Sequence, residues 1–196
     1  MAIEYEFKYS ADILQLERIF EDYPGPWMTT EMETTYYDTG RDGLARRKWA
    51  LRRRMEGDRS ICTLKTPAEA SGARNEWEVE SADISEALEL LCAEGAPREL
   101  LELAEEGLVI SCGARFTRCS RGIKWFDGTE AELALDKGLL WGGTHREPLC
   151  EVELELKAGN EATLEGEAVA FARRYGLVPQ PKGKFQRARD LRLRGE

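Results

Sequence analysis

The chain opens on E-Y-E-F-K, Glu4 to Lys8, and returns to the same pattern in C-E-V-E-L-E-L-K, Cys150 to Lys157. Alternate residues of a strand project to opposite faces. Glu4, Glu6 and Lys8 therefore share one face, with Ile3, Tyr5 and Phe7 on the other. Near the other end, Glu151, Glu153, Glu155 and Lys157 form a charged row, and Val152, Leu154 and Leu156 an apolar one. Two such strands predict a sheet whose apolar face packs outward on helices and whose charged face encloses something polar.

The intervening sequence repeats the habit. Arg52 and Arg54 share a face with Ala50, opposite Leu51 and Arg53, and Thr63 shares one with Lys65. Glu76, Glu78 and Glu80 align opposite Trp77 and Val79, as do Glu132, Ala134 and Asp136 opposite Leu133 and Leu135. One such strand reads as the wet side of an antiparallel sheet. Six strands with the same habit describe either a surface laced with ion pairs or a closed barrel holding acids and bases in a water-filled tunnel. Confined charges need partners of both signs. Divalent cations would satisfy the glutamates, and a multiply charged anion the Arg and Lys rows. Oxygen ligands without a Cys/His cluster select Mg²⁺ or Mn²⁺ over zinc, and Arg and Lys are the usual graspers of phosphate.

The remaining elements follow from local signals. Ser10 is expected to open a helix of about a dozen residues carrying Leu16 and Ile19, and Met32 to Asp38 reads as a strand. Residues 48–55 and 60–66 predict a hairpin, and 74–80 a further strand. Asp83 and Glu86 mark a helix start, and Pro97 the first turn of a shorter helix. Strands are expected at 109–119, 122–126, 130–137 and 149–157, then a last long helix capped by Asn160 and a basic tail from Val178. The fold class is α+β, an eight-stranded antiparallel closed β-barrel with helices outside. An open α+β sheet is the fallback.

Composition sets bounds. At 196 residues, 42% hydrophobic and 33% charged, the chain suits a single globular domain spanning 1–196. A net charge of −9 argues against nonspecific nucleic-acid binding. There is no apolar run of membrane-spanning length and no signal-peptide core, and five cysteines without a C-x-x-C pair read as buried thiols of a reducing cytoplasm. One histidine, His145, gives little support to a zinc site or a histidine triad.

E-Y-E-F-K also resembles the E-x-E-x-K signature of the CYTH superfamily, the triphosphate tunnel metalloenzymes. Y-Y-D-T (36–39), L-A-R-R-K-W-A-L-R-R-R (44–54), T-L-K-T (63–66) and R-N-E-W-E-V (74–79) resemble its successive blocks in order. E-L-A-L-D-K-G (132–138) and residues 147–159 are similar to the bacterial inorganic triphosphatase branch. The resemblance implies an eight-stranded tunnel. It also implies metal held by Glu4, Glu6, Glu151 and Glu153, with Glu76, Glu78, Glu132 and Asp136 as further acidic members. It places Lys8, Arg52, Arg54 and Lys65 on phosphate, joined by Arg118 and Arg121, with Arg115 as a substitute for one of them. Lys184 keeps the lysine of the family's Ser-Lys pair, while Gly183 loses the hydroxyl. Glu6, Lys8 and Glu153 are the expected catalytic residues, with two ions of Mg²⁺ or Mn²⁺ as cofactor.

The implied activity is hydrolysis of tripolyphosphate to pyrophosphate and phosphate. The same tunnel also serves class IV-type adenylate cyclases and thiamine or nucleoside triphosphatases in that superfamily, and a non-catalytic polyphosphate-binding module or a salt-bridged scaffold would show the same rows. The expected partner is a triphosphate or polyphosphate, with neither nucleic acid nor membrane, and self-association into a homodimer is left open.

Overall fold

Alternating charge and hydrophobe sorts the chain into strands with one wet and one dry face. The computed structural model describes residues 5–67 and 74–194. The elements run β1 (Glu6–Ser10), α1 (Ile13–Asp22), β2 (Met28–Thr39), α2 (Gly43–Arg46), β3 (Ala50–Glu56), β4 (Arg59–Pro67) and β5 (Arg74–Glu80). They continue as α3 (Ile84–Ala93), α4 (Glu99–Ala104), β6 (Leu108–Lys124), β7 (Glu130–Gly142), β8 (His145–Ala158), α5 (Glu161–Tyr175), β9 (Val178–Pro179) and α6 (Lys184–Leu193). Among the described residues no helix is long and apolar enough to cross a membrane.

All nine strands belong to one antiparallel sheet, ordered β5-β4-β3-β2-β6-β7-β8-β1-β9. Among the described residues the sheet thus differs from the expected closed eight-stranded barrel: it has nine strands, and its edges are not joined by hydrogen bonds. The free edge of β1 is taken by β9, with Tyr9 opposite Pro179 and Ser10 opposite Val178. β9 is only two residues long, and just beyond it the Gln180 N–H donates to the Lys8 carbonyl at 2.8 Å. The sheet nevertheless curls, because Glu76 of β5 and Glu6 and Lys8 of β1 line one cavity.

The dry face is convex and carries the helices. Leu16 and Ile19 of α1 and Leu164, Ala168 and Phe171 of α5 pack on Leu133, Leu135, Val152 and Leu154. Leu88 and Leu91 of α3 and Leu100 and Leu103 of α4 cover Leu51 and Leu64, with Trp49 and Trp77 against them. The start of α1 differs from expectation. Asp12 is the N-cap, in a capping box with Gln15, and Ser10 ends β1, where its hydroxyl accepts from Gln180 at 2.8 Å. The expected break near residue 120 is absent, because β6 pairs with β7 without interruption from Cys112 to Lys124. Cys62 and Cys112 are buried, and burial pushes their thiols up to about 11 and about 12, which keeps them neutral and apolar in role.

The basic tail is not a tail. It forms β9 and then α6, which lies inside the curl of the sheet. Phe185, Ala188 and Leu191 pack on Met32, Tyr36, Cys112, Ala114, Phe116, Leu140 and Leu149. A Cβ on Gly142 would lie 2.2 Å from the Ala188 carbonyl oxygen and 2.6 Å from the Arg192 nitrogen. Only glycine lets the helix backbone approach β7 this closely.

Candidate active site

The curl encloses a polar cavity of about 560 Å³. Its walls follow from strand register. Arg52 and Arg54 of β3 point inward because Leu51 and Arg53 are committed to the other face, where Leu51 is fully buried and Arg53 donates to the Ala82 carbonyl. Lys65 of β4 lies opposite Ala50, and Glu76 of β5 opposite Lys65. Glu76 accepts from Lys65 at 2.9 Å and sits 3.6 Å from Arg52, while Arg54 donates to Glu56 at 3.1 Å. Arg52 Nε and Arg54 Nε are buried and make no hydrogen bond among the described residues. A buried donor left this way costs about 1–3 kcal/mol and calls for an acceptor from outside.

On the opposite wall, Lys8 Nζ donates to Glu6 Oε1 at 2.7 Å. Burial opposes the charge of Lys8, but Glu6 beside it, with Glu153 and Glu151 beyond, raises its pKa. Glu155 completes this wall and lies opposite Glu6 in register.

The base of the cavity is a dense ionic knot. Arg118 grips Asp136 with two bonds, Nε to Oδ1 and Nη2 to Oδ2, both 2.7 Å, and also donates to Glu153. Lys184 Nζ lies 2.8 Å from Asp136 and 2.7 Å from Glu153, and it also donates to Glu151. Arg187 donates to the second oxygen of Glu151 at 2.7 Å. Asp136 and Glu151 are fully buried. Burial pushes the Glu151 carboxyl up to about 7 against the pull of Lys184. Glu153 goes the other way: burial opposes its charge, yet Lys184 and Arg118 hold it well below the ordinary carboxylate range. Burial likewise opposes the charge of Lys184, and the three carboxylates outweigh it.

Asp136, Glu151 and Glu153 each bring a carboxylate oxygen within 4.8 Å of the others. An all-oxygen set of this kind suits a hard divalent cation such as Mg²⁺ or Mn²⁺. The residues present thus fit the cofactor expected from the sequence.

The structure sorts the remaining expected site residues. Glu6, Lys8, Arg52, Arg54, Lys65, Glu76, Arg118, Glu153 and Lys184 share the one cavity, with Asp136 and Glu151 buried behind Lys184. Glu4 lies outside the described residues. Glu78 is exposed and accepts from Thr63 at 3.3 Å, and Glu132 borders a separate shallow pocket beside Lys157. Arg121 is placed differently from expectation. It donates to the Tyr23 and Pro24 carbonyls, at 2.6 and 3.1 Å, and lies over the Tyr23 and Trp27 rings. Its odd spacing from Arg118 puts it on the other face of β6. Arg115, on that same odd parity, pairs with Glu33 at 3.2 Å where both are exposed, so it does not replace Arg121 in the cavity.

Several lining residues escaped sequence reasoning. Glu155 continues the row of Glu151 and Glu153, so its signal was present. Tyr36 and Phe116 belong to the apolar cluster under α6, yet Tyr36 borders the cavity and the Phe116 ring lies beneath Lys184 Nζ, 5.2 Å from its centroid, and Arg118, 5.9 Å away. Phe185, which lines the cavity, and Arg187, which reaches Glu151 from outside the lining, needed α6, for which no signal was recognised.

A family model described as the CYTH domain matches residues 2–188. Among solved structures, a protein from Hippeastrum, named for adenylyl cyclase and described as having a dominant triphosphatase activity, superposes with a TM-score of 0.67. It is 20% identical, covering 95% of this chain and 95% of that one. A Bacillus halodurans protein that also carries an adenylate cyclase name gives 0.65 at 19% identity, over 94% of this chain and 96% of that one. A protein from Pyrococcus horikoshii gives 0.58 at 20%, over 93% and 96%. At these identities the likeness is one of fold.

Proposed function

The chain belongs to the CYTH family, and from that premise we propose that its cavity binds inorganic triphosphate with a divalent cation and hydrolyses it to pyrophosphate and phosphate. The observation that carries this reading is the pair Arg52 and Arg54, whose buried Nε donors lack acceptors in a cavity also lined by Lys8, Lys65 and Lys184. Planar guanidinium forks and point-charge ammonium groups match a chain of phosphate tetrahedra.

The rings of the cavity favour an inorganic substrate. Tyr36 lies against Phe185 at 4.9 Å between centroids, Phe116 faces cations, and Tyr5 stands edge-on to Phe7 at 5.6 Å. Each of these rings already has a partner within the protein, which favours phosphate over a nucleobase or thiazole as the group bound here.

In this mechanism Arg52, Arg54 and Lys65 hold the phosphates that stay together as pyrophosphate, and Lys8 and Lys184 neutralise oxygens of the phosphoryl group that leaves. Water attacks the terminal phosphorus, the P–O bond to the bridging oxygen breaks, and pyrophosphate departs with those electrons. The attacking water's proton is released to solvent or to the phosphates. Glu6, Glu153, Glu151 and Asp136 would hold Mg²⁺ or Mn²⁺, which when bound supplies charge neutralisation at the phosphoryl oxygens and acidifies water. Positioning and charge complementarity suffice for phosphoryl transfer, in keeping with a cavity that has no histidine and no evident nucleophile.

The deciding experiment is a product panel with tripolyphosphate, ATP, thiamine triphosphate and long polyphosphate, each with Mg²⁺ and with Mn²⁺. Tripolyphosphate should be turned over fastest, yielding equal amounts of pyrophosphate and phosphate. Conversion of ATP to a cyclic nucleotide with tripolyphosphate inert would assign the cavity to cyclisation instead.

A further inference from the structure

Three carboxylate oxygens converge on a single atom. Asp136 Oδ2, Glu151 Oε1 and Glu153 Oε1 all contact Lys184 Nζ, at 2.8 Å for Asp136 and 2.7 Å for Glu153. The remaining oxygens of these groups are taken by guanidinium: Asp136 Oδ1 and Glu153 Oε2 by Arg118, and Glu151 Oε2 by Arg187. Three carboxylates thus face three cations, and their formal charges balance without any metal. The point at which those three oxygens meet is also the point at which they would hold an ion.

We propose that Lys184 is an internal placeholder for the divalent cation. Its ammonium occupies the three-oxygen point until an ion arrives, and then moves onto the phosphate chain. An ammonium and a divalent ion cannot share these oxygens, because two cations some 3 Å apart in a largely dry site repel strongly. Lys184 is built to move. It is the first residue of α6, it follows Gly183, which makes no side-chain cap, and its side chain already borders the cavity. The stem is long and flexible, whereas Arg118 and Arg187 hold the outer oxygens and keep the carboxylates aimed when the ammonium leaves. Metal and substrate then assist each other: the ion frees Lys184 for phosphate, and phosphate stabilises Lys184 away from the carboxylates.

This inference rests on the metal-dependent reading of the cavity, and its test separates the two. Mn²⁺ binding is measured by calorimetry on the wild-type chain and on Lys184→Met, which keeps the stem and removes the charge. Each protein is titrated without anion and with the imido analogue of tripolyphosphate. Without anion, Lys184→Met should bind Mn²⁺ at least about ten-fold more tightly than wild type, and the analogue should tighten Mn²⁺ binding in wild type more than in the variant. A second measurement needs no substitution. Acylation of wild-type lysines, read by mass spectrometry, should modify Lys184 several-fold faster relative to Lys124 once Mn²⁺ is added. Mn²⁺ binding in wild type with no gain in the variant, or slower acylation of Lys184 with Mn²⁺, overturns the placeholder alone. A wild type that binds no Mn²⁺ even with the analogue overturns the metal-dependent reading and the placeholder with it.

Discussion

Asp38 shows how much one buried carboxylate can organise. Its Oδ1 accepts from the backbone of Thr39 and Leu44, at 2.7 and 2.8 Å, and its Oδ2 from Ala45 at 3.1 Å. These bonds hold the loop between β2 and β3, and so set where β3 starts and where Arg52 and Arg54 point. Replacing Asp38 by Ala leaves three N–H groups without that acceptor and should cost at least about 2 kcal/mol in urea unfolding. A loss below about 0.5 kcal/mol would show that water substitutes for the carboxylate. At this scale parity made most of the cavity legible. Arg52, Arg54 and Lys65 could be assigned from their neighbours Leu51, Arg53 and Leu64. Arg118 and Arg121 could not, because the inward positions of β6 hold Phe116, Arg118 and Ser120, and a phenylalanine on the charged face hides the alternation.

Among the elements, α6 decides the shape of the site, and it was the least legible. Its sequence, K-F-Q-R-A-R-D-L-R-L, has too few apolar residues to announce a buried helix. Its apolar side is only Phe185, Ala188 and Leu191, and the charged residues of the basic segment find acids of the protein itself. Lys184 and Arg187 reach the sheet carboxylates, while Arg189 and Arg192 reach Asp42 at 3.2 and 2.6 Å. Such a helix is stable only against a sheet already carrying the matching charges, information that lies more than thirty residues away. The seat at Gly142 can be tested. Gly142→Val forces a side chain into the α6 backbone, where neither partner can yield. Trypsin should then remove the segment after Lys182 well before cutting the sheet, whereas wild type releases both together. Equal cleavage in the two proteins would show that α6 is held by its ion pairs without the close backbone contact.

Over the whole molecule, the charged rows carried the right topology but not the closure. Every expected strand belongs to the sheet, and the apolar rows fall on the helix-covered face, since burying one face of a strand fixes its register. Edge pairing is different. It depends on whether two distant strands meet with free N–H and C=O groups, and here a two-residue strand ending in Pro179 takes the edge of β1 first. The cavity survives without closure because curl alone brings β5 and β1 to face each other. The overall charge of −9 conceals this interior. The central claim, that the inward cations bind a phosphate chain for metal-dependent hydrolysis, is tested most directly by phosphate release from tripolyphosphate. The comparison is wild type, with Mg²⁺ or Mn²⁺ and then with chelator, against Arg52→Ala/Arg54→Ala. Release should require the metal and fall about 100-fold or more in the variant, with the melting transition retained. Release that persists in chelator, or at the same rate in the variant, would contradict the account.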